Sequence, residues 1–196
     1  MPQGRSGVTP DSAGRLVFDA GEAYINLDLT ALETTGITGA ITGAIKLGAT
    51  RDGSTFDPGR SLREIPIDGQ LGPTKGFVRR ENVRPTLTVN LVEISRANLA
   101  RAIAGLIETA AGDYQKITGG EITAATYLDN VGLVTTYAGE DEPILLVITN
   151  ALAHEAPTFN LQNRNELVLP VTFIGHIDPD EPYVEPWMIY HPDTTV

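Results

Sequence analysis

The 196-residue chain contains no cysteine, which excludes a disulfide framework, a cysteine nucleophile and any thiolate-bound zinc. The fold must therefore rest on packing and backbone pairing. Aromatic residues make up only 6%, too few to suggest the aromatic-lined cleft in which a sugar ring stacks beside a catalytic carboxylate pair. No apolar run approaches the roughly 18 residues of a membrane span, and the opening MPQGRSGVTPDSAGR has no apolar centre of the kind a signal peptide needs. Neither a membrane nor export is expected. Basic residues are scarce too: 14 Lys and Arg face 25 Asp and Glu, for a net charge of −11. Such a balance opposes wrapping nucleic acid, which depends on cations neutralising phosphates, and suits a soluble acidic surface.

Catalytic signatures are missing as well. Gly69, Gly72 and Lys75 do not make a phosphate loop, because no glycine precedes the lysine and no hydroxyl residue follows it. His154 and Glu155 lack the second histidine one helical turn away that a zinc protease requires. His176, Asp178 and Asp180 could share a face only if a strand ran on past Ile177, and Pro179 and Pro182 turn the chain there. No Gly-x-Ser-x-Gly elbow occurs. The sequence predicts no enzyme, no metal and no cofactor.

What remains is one domain's worth of mainly β sequence, since about 150 residues bury roughly 70% of their unfolded surface. Residues 1–14 are small and polar and read as an N-terminal arm. RLVFDAGEAYINL (15–27) reads as a strand or bulged pair, and GITGAITGAIKLGAT (36–50) as a glycine-softened strand region. PTLTVNLVEI (85–94) alternates, with Leu87, Val89 and Leu91 on one face, as a half-buried strand does. Behind it, Leu99, Ala102, Ile103, Leu106, Ile107 and Ala110 recur at helical spacing between Ser95 as N-cap and Gly112 as stop, which predicts one flanking helix over about 96–111. KITGGEITAATYL, GLVTTYAG, PILLVITNALA, APTFNLQN and NELVLPVTFIGHI read as further strands, so the expected fold is α+β, a β-sandwich or barrel over 15–180. The proline-rich end, 181–196, with Tyr183, Trp187, Met188, Ile189 and Tyr190, reads as an extended C-terminal arm.

One stretch fits no core. LGATRDGSTFDPGRSLREIPIDGQLGPTKG (47–76) is rich in glycine and charge, and a loop this long in a compact domain is usually functional or disordered. Phe56, Leu62, Ile65, Ile67, Leu71 and Phe77 are spaced through it, and REIPIDG has the makings of an edge strand. Such a segment can dock on another chain by backbone pairing and a few anchors.

The run from Lys46 to Ile103 resembles the major tail tube proteins of long-tailed, siphovirus-type bacteriophages. The likeness lies in Gly48-Ala49-Thr50, in Gly53 with Thr55 and Phe56, in Asp68-Gly69, in Gly72 with Lys75 and Gly76, and in Asn98-Leu99. It implies a tail-tube-like β-sandwich or barrel with a flanking helix, a long loop over about 50–82 that reaches into the neighbouring ring, and arms at both ends. It further implies six copies closing a ring, rings stacked into a hollow tube, and DNA passing through the lumen without specific binding. Implied partners are the chain itself, a tape measure protein, the tail terminator and tail-tip proteins, with assembly in the host cytoplasm and a final place in the virion tail.

Charge placement nominates the contacts. Fourteen of the 25 acidic residues lie beyond residue 101, so a neighbour would offer carboxylates to Arg51, Arg60, Arg63, Lys75, Arg79 and Arg80. Phe56 and Phe77 are the apolar candidates beside them, and Trp187 and Tyr190 those of the C-terminal arm. Two other readings share part of this pattern. One is a different ring-forming tail or neck component, either a terminator or the tube protein of a contractile device; the other is a monomeric β-sandwich binding module.

Overall fold

The computed structural model describes residues 21–136 and 143–192. Its centre is an eight-stranded antiparallel sheet built from β1 (Glu22–Ile25), β2 (Ile45–Lys46), β3 (Thr50–Asp57), β6 (Thr86–Leu91), β9 (Leu128–Thr135), β10 (Ile144–Ala153), β11 (Leu169–Gly175) and β12 (Trp187–Tyr190). The order is β2-β1-β9-β10-β11-β6-β3, with β12 beside β10. Its two end strands are consecutive pieces of one segment. Between them the Leu47 amide donates to the Ala23 carbonyl of β1, and the Ala49 carbonyl accepts from the Val92 amide next to β6. The sheet therefore curls back on itself, which leaves few open edges in the body of the protein.

Alternation explains how this sheet acquires its core. Along β6, Leu87, Val89 and Leu91 are buried, and across the ladder they meet Phe173, Val171 and Leu169 of β11. On the opposite face Thr88 and Thr172 share a hydrogen bond of 3.0 Å between their hydroxyls. Residues from β1, β9 and β10 complete the same apolar cluster. β10 has Leu145 and Val147 buried on its other side too, where they pack in a second cluster with residues of two short helices. Asn150, at φ 47°, bends β10 between its pairing with β12, which ends at Ile148, and its pairing with β11, which begins at Ala151.

Those helices correct the expectation of a strand over 36–50. α1 (Leu29–Thr35) starts at Asp28, whose Oδ1 accepts the Ala31 amide at 2.9 Å, and it ends at Gly36 with φ 73°. α2 (Ile37–Ile41) follows at once, so that only 45–46 and the final residue of the stretch are extended. Leu29, Leu32, Ile37 and Ile41 pack on the outer face of the sheet. Asp28 as N-cap and the three- and four-residue spacing were in the sequence, but the doubled Ile-Thr-Gly-Ala masked them.

The flanking helix is also shorter than its apolar pattern implied. Ser95 does cap it, accepting from the Asn98 amide at 3.1 Å, but α3 covers only Arg96–Ala102. Gly105, at φ 67°, stands so close to the Glu121 carbonyl, 2.9 Å from where a Cβ would lie, that only glycine fits the reversal. The chain then becomes a hairpin, β7 (Leu106–Ala111) and β8 (Tyr114–Gly119), with Gly112 and Asp113 as its two-residue turn. Gly112 is a hairpin glycine and not a helix stop, and Ala110 is exposed. The described residues thus hold three short α-helices where one longer helix was expected.

Two further expectations change. APTFNLQN (156–163) forms no strand, and KITGGEITAATYL divides into β8, an irregular stretch with a 3-10 turn at Ala124–Thr126, and the start of β9. The segment 187–190 of the presumed C-terminal arm is strand β12 of the chain's own sheet. The N-terminal arm, residues 1–14, lies outside the described residues.

Candidate assembly surface

The excursion of residues 50–82 is ordered by pairing. Its first part, β3, belongs to the central sheet, where Phe56 is half-buried against the core. After a turn at Pro58-Gly59 the chain forms a separate two-stranded ribbon, β4 (Arg60–Glu64) and β5 (Val78–Val83), joined by the tip 65–77. Gly59 makes the turn possible: it has φ 57°, and a Cβ there would fall 1.8 Å from the Arg84 carbonyl oxygen. The Asp57 carboxylate accepts the Gly59 amide at 2.8 Å, and the Arg84 amide donates to the Gly59 carbonyl at 2.9 Å. Among the described residues, β4 and β5 pair with no other strand.

Every residue of β4 is exposed, and Leu62, Ile65, Ile67, Leu71, Phe77 and Val78 all present apolar surface to solvent. Leu71 is completely exposed. A lone two-stranded ribbon is marginally stable in water, and a cluster of exposed apolar side chains marks a contact site. The ladder also sets Arg63 directly across from Arg79, a like-charge pairing that destabilises a strand pair. No carboxylate among the described residues forms an ion pair with Arg63, Lys75 or Arg79; Arg79 donates instead to the Gly76 and Val78 carbonyls, at 2.8 and 3.1 Å.

Three of the other candidate arginines form ion pairs within the chain. Arg51 pairs with Glu166 at 2.8 Å. Arg80 donates to Glu185 at 2.8 Å, and Arg60 lies 3.3 Å from the same Oε1. On the other side of that carboxylate, the Trp187 indole donates to Oε2 at 2.8 Å. The Arg80 hydrogen bond holds the Glu185 carboxyl below the ordinary carboxylate range; burial opposes this, and Trp187 and Arg60 reinforce it. Glu185 is thus a clip between the base of the ribbon and the last strand. Trp187 packs half-buried against the main core, and Tyr190 packs half-buried against the α1–α2 layer, where burial raises its hydroxyl's pKa. Both candidate aromatics of the C-terminal arm therefore serve the fold first.

The ribbon β7–β8 is the second projection, and sequence reasoning missed it. Ile107 is half exposed and Tyr114, beside the turn, is 80% exposed. Its outer edges are unpaired among the described residues. A Gly-Asp dipeptide between two β-capable runs was the available signal. Glu185 was missed too, and it carried none, because its role depends on Arg60 and Arg80, more than 100 residues away in the chain.

No three His, Asp or Glu side chains among the described residues gather so as to hold a metal, and no helix there is long and apolar enough to cross a membrane. No protein-family model matches the chain, and no curated protein matches it.

Proposed function

We propose that the chain is a structural subunit of a bacteriophage tail tube, assembling as rings that stack into a hollow conduit for DNA. The observation that supports this best is the β4–β5 ribbon. It departs from a self-contained sheet, exposes a run of apolar side chains and carries three cations with no ion-pair partner among the described residues, features that suit assembly. A catalytic cleft would instead gather convergent polar groups around a concave site.

The charge distribution supports the same reading. An acidic subunit lining a channel repels phosphates, so that DNA slides without adhering. Projecting ribbons that meet the next subunit leave the chain monomeric when dilute and polymeric when concentrated, since ordering at each contact costs entropy that only many contacts offset.

Negative-stain electron microscopy of concentrated protein, with sedimentation of polymer against free subunit, tests the proposal. Tubes of stacked rings are expected. Single rings that never stack would replace the tube reading with that of a terminator. A species that stays monomeric at high concentration, even with tail-tip components added, would overturn assembly altogether.

A further inference from the structure

We propose that Asp68, in the tip of β4–β5, is a site of spontaneous backbone modification: the Gly69 amide closes onto the Asp68 carboxyl, and the succinimide so formed reopens in water to isoaspartate. The reaction belongs to the free subunit and does not depend on assembly. Asp-Gly occurs twice in the chain, at 52–53 and 68–69, and Asn-Gly nowhere. A glycine amide is the least shielded of nucleophiles on the backbone, because no side chain stands beside it. The two places differ in what holds them.

At the tip very little does. The Gln70 amide donates to the Ile67 carbonyl at 3.1 Å, Gly69 has φ 82° and Asp68 has no positive φ, the signature of a type II turn with Asp68 and Gly69 at its centre. Both residues are exposed, and a Cβ on Gly69 would meet nothing within 4 Å. Neither the Asp68 carboxylate nor the Gly69 amide makes a hydrogen bond or ion pair among the described residues. Attacking and accepting groups are both unengaged, and the backbone rotation that joins them disturbs a single surface turn.

The pair at 52–53 is held on every side. Asp52 and Gly53 lie in the bulge of β3, between Thr50, paired with Leu91, and Ser54, paired with Val89. The Asn90 side-chain amide donates to the Gly53 carbonyl at 3.2 Å, and the preceding Arg51 is tied to Glu166 at 2.8 Å. Ring closure there must turn backbone that the β3–β6 ladder fixes, so the strand has to open locally before the chemistry begins.

The step needs no reactant but water. The Gly69 nitrogen bonds to Asp68 Cγ, and the amide proton and the carboxyl hydroxyl leave together as water; the neighbouring position of the two groups makes the attack intramolecular. Water then adds to one of the two ring carbonyls. Opening at the side-chain carbonyl restores aspartate. Opening at the backbone carbonyl leaves a chain that runs through Cβ, one methylene longer, with its carboxylate on Cα. Net charge is unchanged, but the turn that shapes the tip is not.

Heavy-oxygen labelling tests the site. Dilute full-length protein is held in water enriched in oxygen-18 at about 37 °C and about pH 6, where a small part of the carboxyl is still protonated, and is then digested with trypsin in ordinary water. Peptide 64–75 is expected to gain heavy oxygen and to separate into two labelled species of equal mass, at least about tenfold faster than peptide 52–60 gains label. In urea the two peptides should label within about threefold of each other, because the strand no longer protects Asp52. Asp68→Glu should abolish the label in 64–75 and leave 52–60 as it was, since glutamate would have to close a larger ring. Peptide 64–75 labelling no faster than 52–60 in the folded protein overturns the proposal, as does label at the wild-type rate in Asp68→Glu. A tenfold difference that persists in urea overturns the part assigned to the fold.

Discussion

Removing the Glu185 carboxylate should loosen the β4–β5 ribbon and β12 together. Three donors converge on it: Arg80 at 2.8 Å, Arg60 at 3.3 Å and the Trp187 indole at 2.8 Å. Its side chain is only 16% exposed and that of Arg80 31%, whereas that of Arg60 is 53% exposed. A hydrogen bond between charged groups with this much shielding contributes about 1.5–3 kcal/mol, while the solvated Arg60 pair adds about 0–1 kcal/mol. The indole bond adds less than its separate worth, because all three donors share one acceptor group. Glu185→Ala should therefore cost about 2–3 kcal/mol, which for a domain of this size lowers Tm by about 4–12 °C. Glu185→Gln keeps the shape and one acceptor and should lose about half as much, and Arg60→Ala less than about 1 kcal/mol.

The pH dependence gives a second readout. Because the folded-state pKa of Glu185 is depressed, the clip's contribution is complete above the unfolded carboxylate value of about 4.3 and is lost as pH falls through the lower folded value. The melting difference between wild type and Glu185→Ala should be flat from neutral pH down to about 5 and then shrink in acid. Calorimetry across this range, with hydrogen exchange at the amides of β5 and β12, measures both. Glu185→Ala melting within about 1 °C of wild type at neutral pH, with unchanged exchange in both strands, would refute the clip.

Arg79→Glu and Arg80→Glu should separate cleanly: the first does not lower Tm, since it replaces the like-charge pairing with Arg63 by an opposite-charge one, yet reduces sedimentable polymer, whereas the second also lowers Tm because a carboxylate then faces Glu185. High salt should weaken wild-type assembly in the same direction as Arg79→Glu, and polymer that grows with salt would make the contact apolar. Asn130 is buried, accepting the Leu27 amide at 2.8 Å and donating to the Leu27 carbonyl at 2.9 Å, so Asn130→Ala should cost about 2–4 kcal/mol in denaturant melts. Asn130→Asp should be no better, since a carboxylate oxygen would then face that carbonyl. Gly59→Ala should destabilise by several kcal/mol, because its Cβ would collide with fixed backbone at Arg84, and a melt near wild type would show that the turn relaxes.

Legibility of the fold followed the range of the interactions. The 85–94 strand and the Ser95 cap were readable because alternation and capping are local. The helix expected through residue 111 failed at Gly105, where a tertiary contact with the Glu121 carbonyl overrides a continuing helical pattern. Residues 36–41 failed for the opposite reason: two short helices, each weak alone, are stable only because they cover Leu145 and Val147 of a strand more than 100 residues away. For the assembly surface, residue type was legible and commitment was not. Arg51, Arg60, Arg63, Lys75, Arg79 and Arg80 look alike in sequence, and folding pairs Arg51, Arg60 and Arg80 with carboxylates of their own chain while giving Arg63, Lys75 and Arg79 no ion pair among the described residues.

Arg60 and Arg80 hold the ribbon's base to β12, while Arg63, Lys75 and Arg79 belong to its middle and tip. A base fixed by a clip sets the ribbon's direction before any neighbour arrives, which lowers the entropy lost when the tip docks. In the proposed assembly Glu185 would therefore act without touching the partner. Glu185→Gln should raise the critical concentration for polymer while leaving the polymer's spacing unchanged, because it enlarges the ribbon's freedom in the free subunit and leaves the docked contact intact. A changed ring spacing in electron micrographs of Glu185→Gln tubes would instead place Glu185 inside the contact itself.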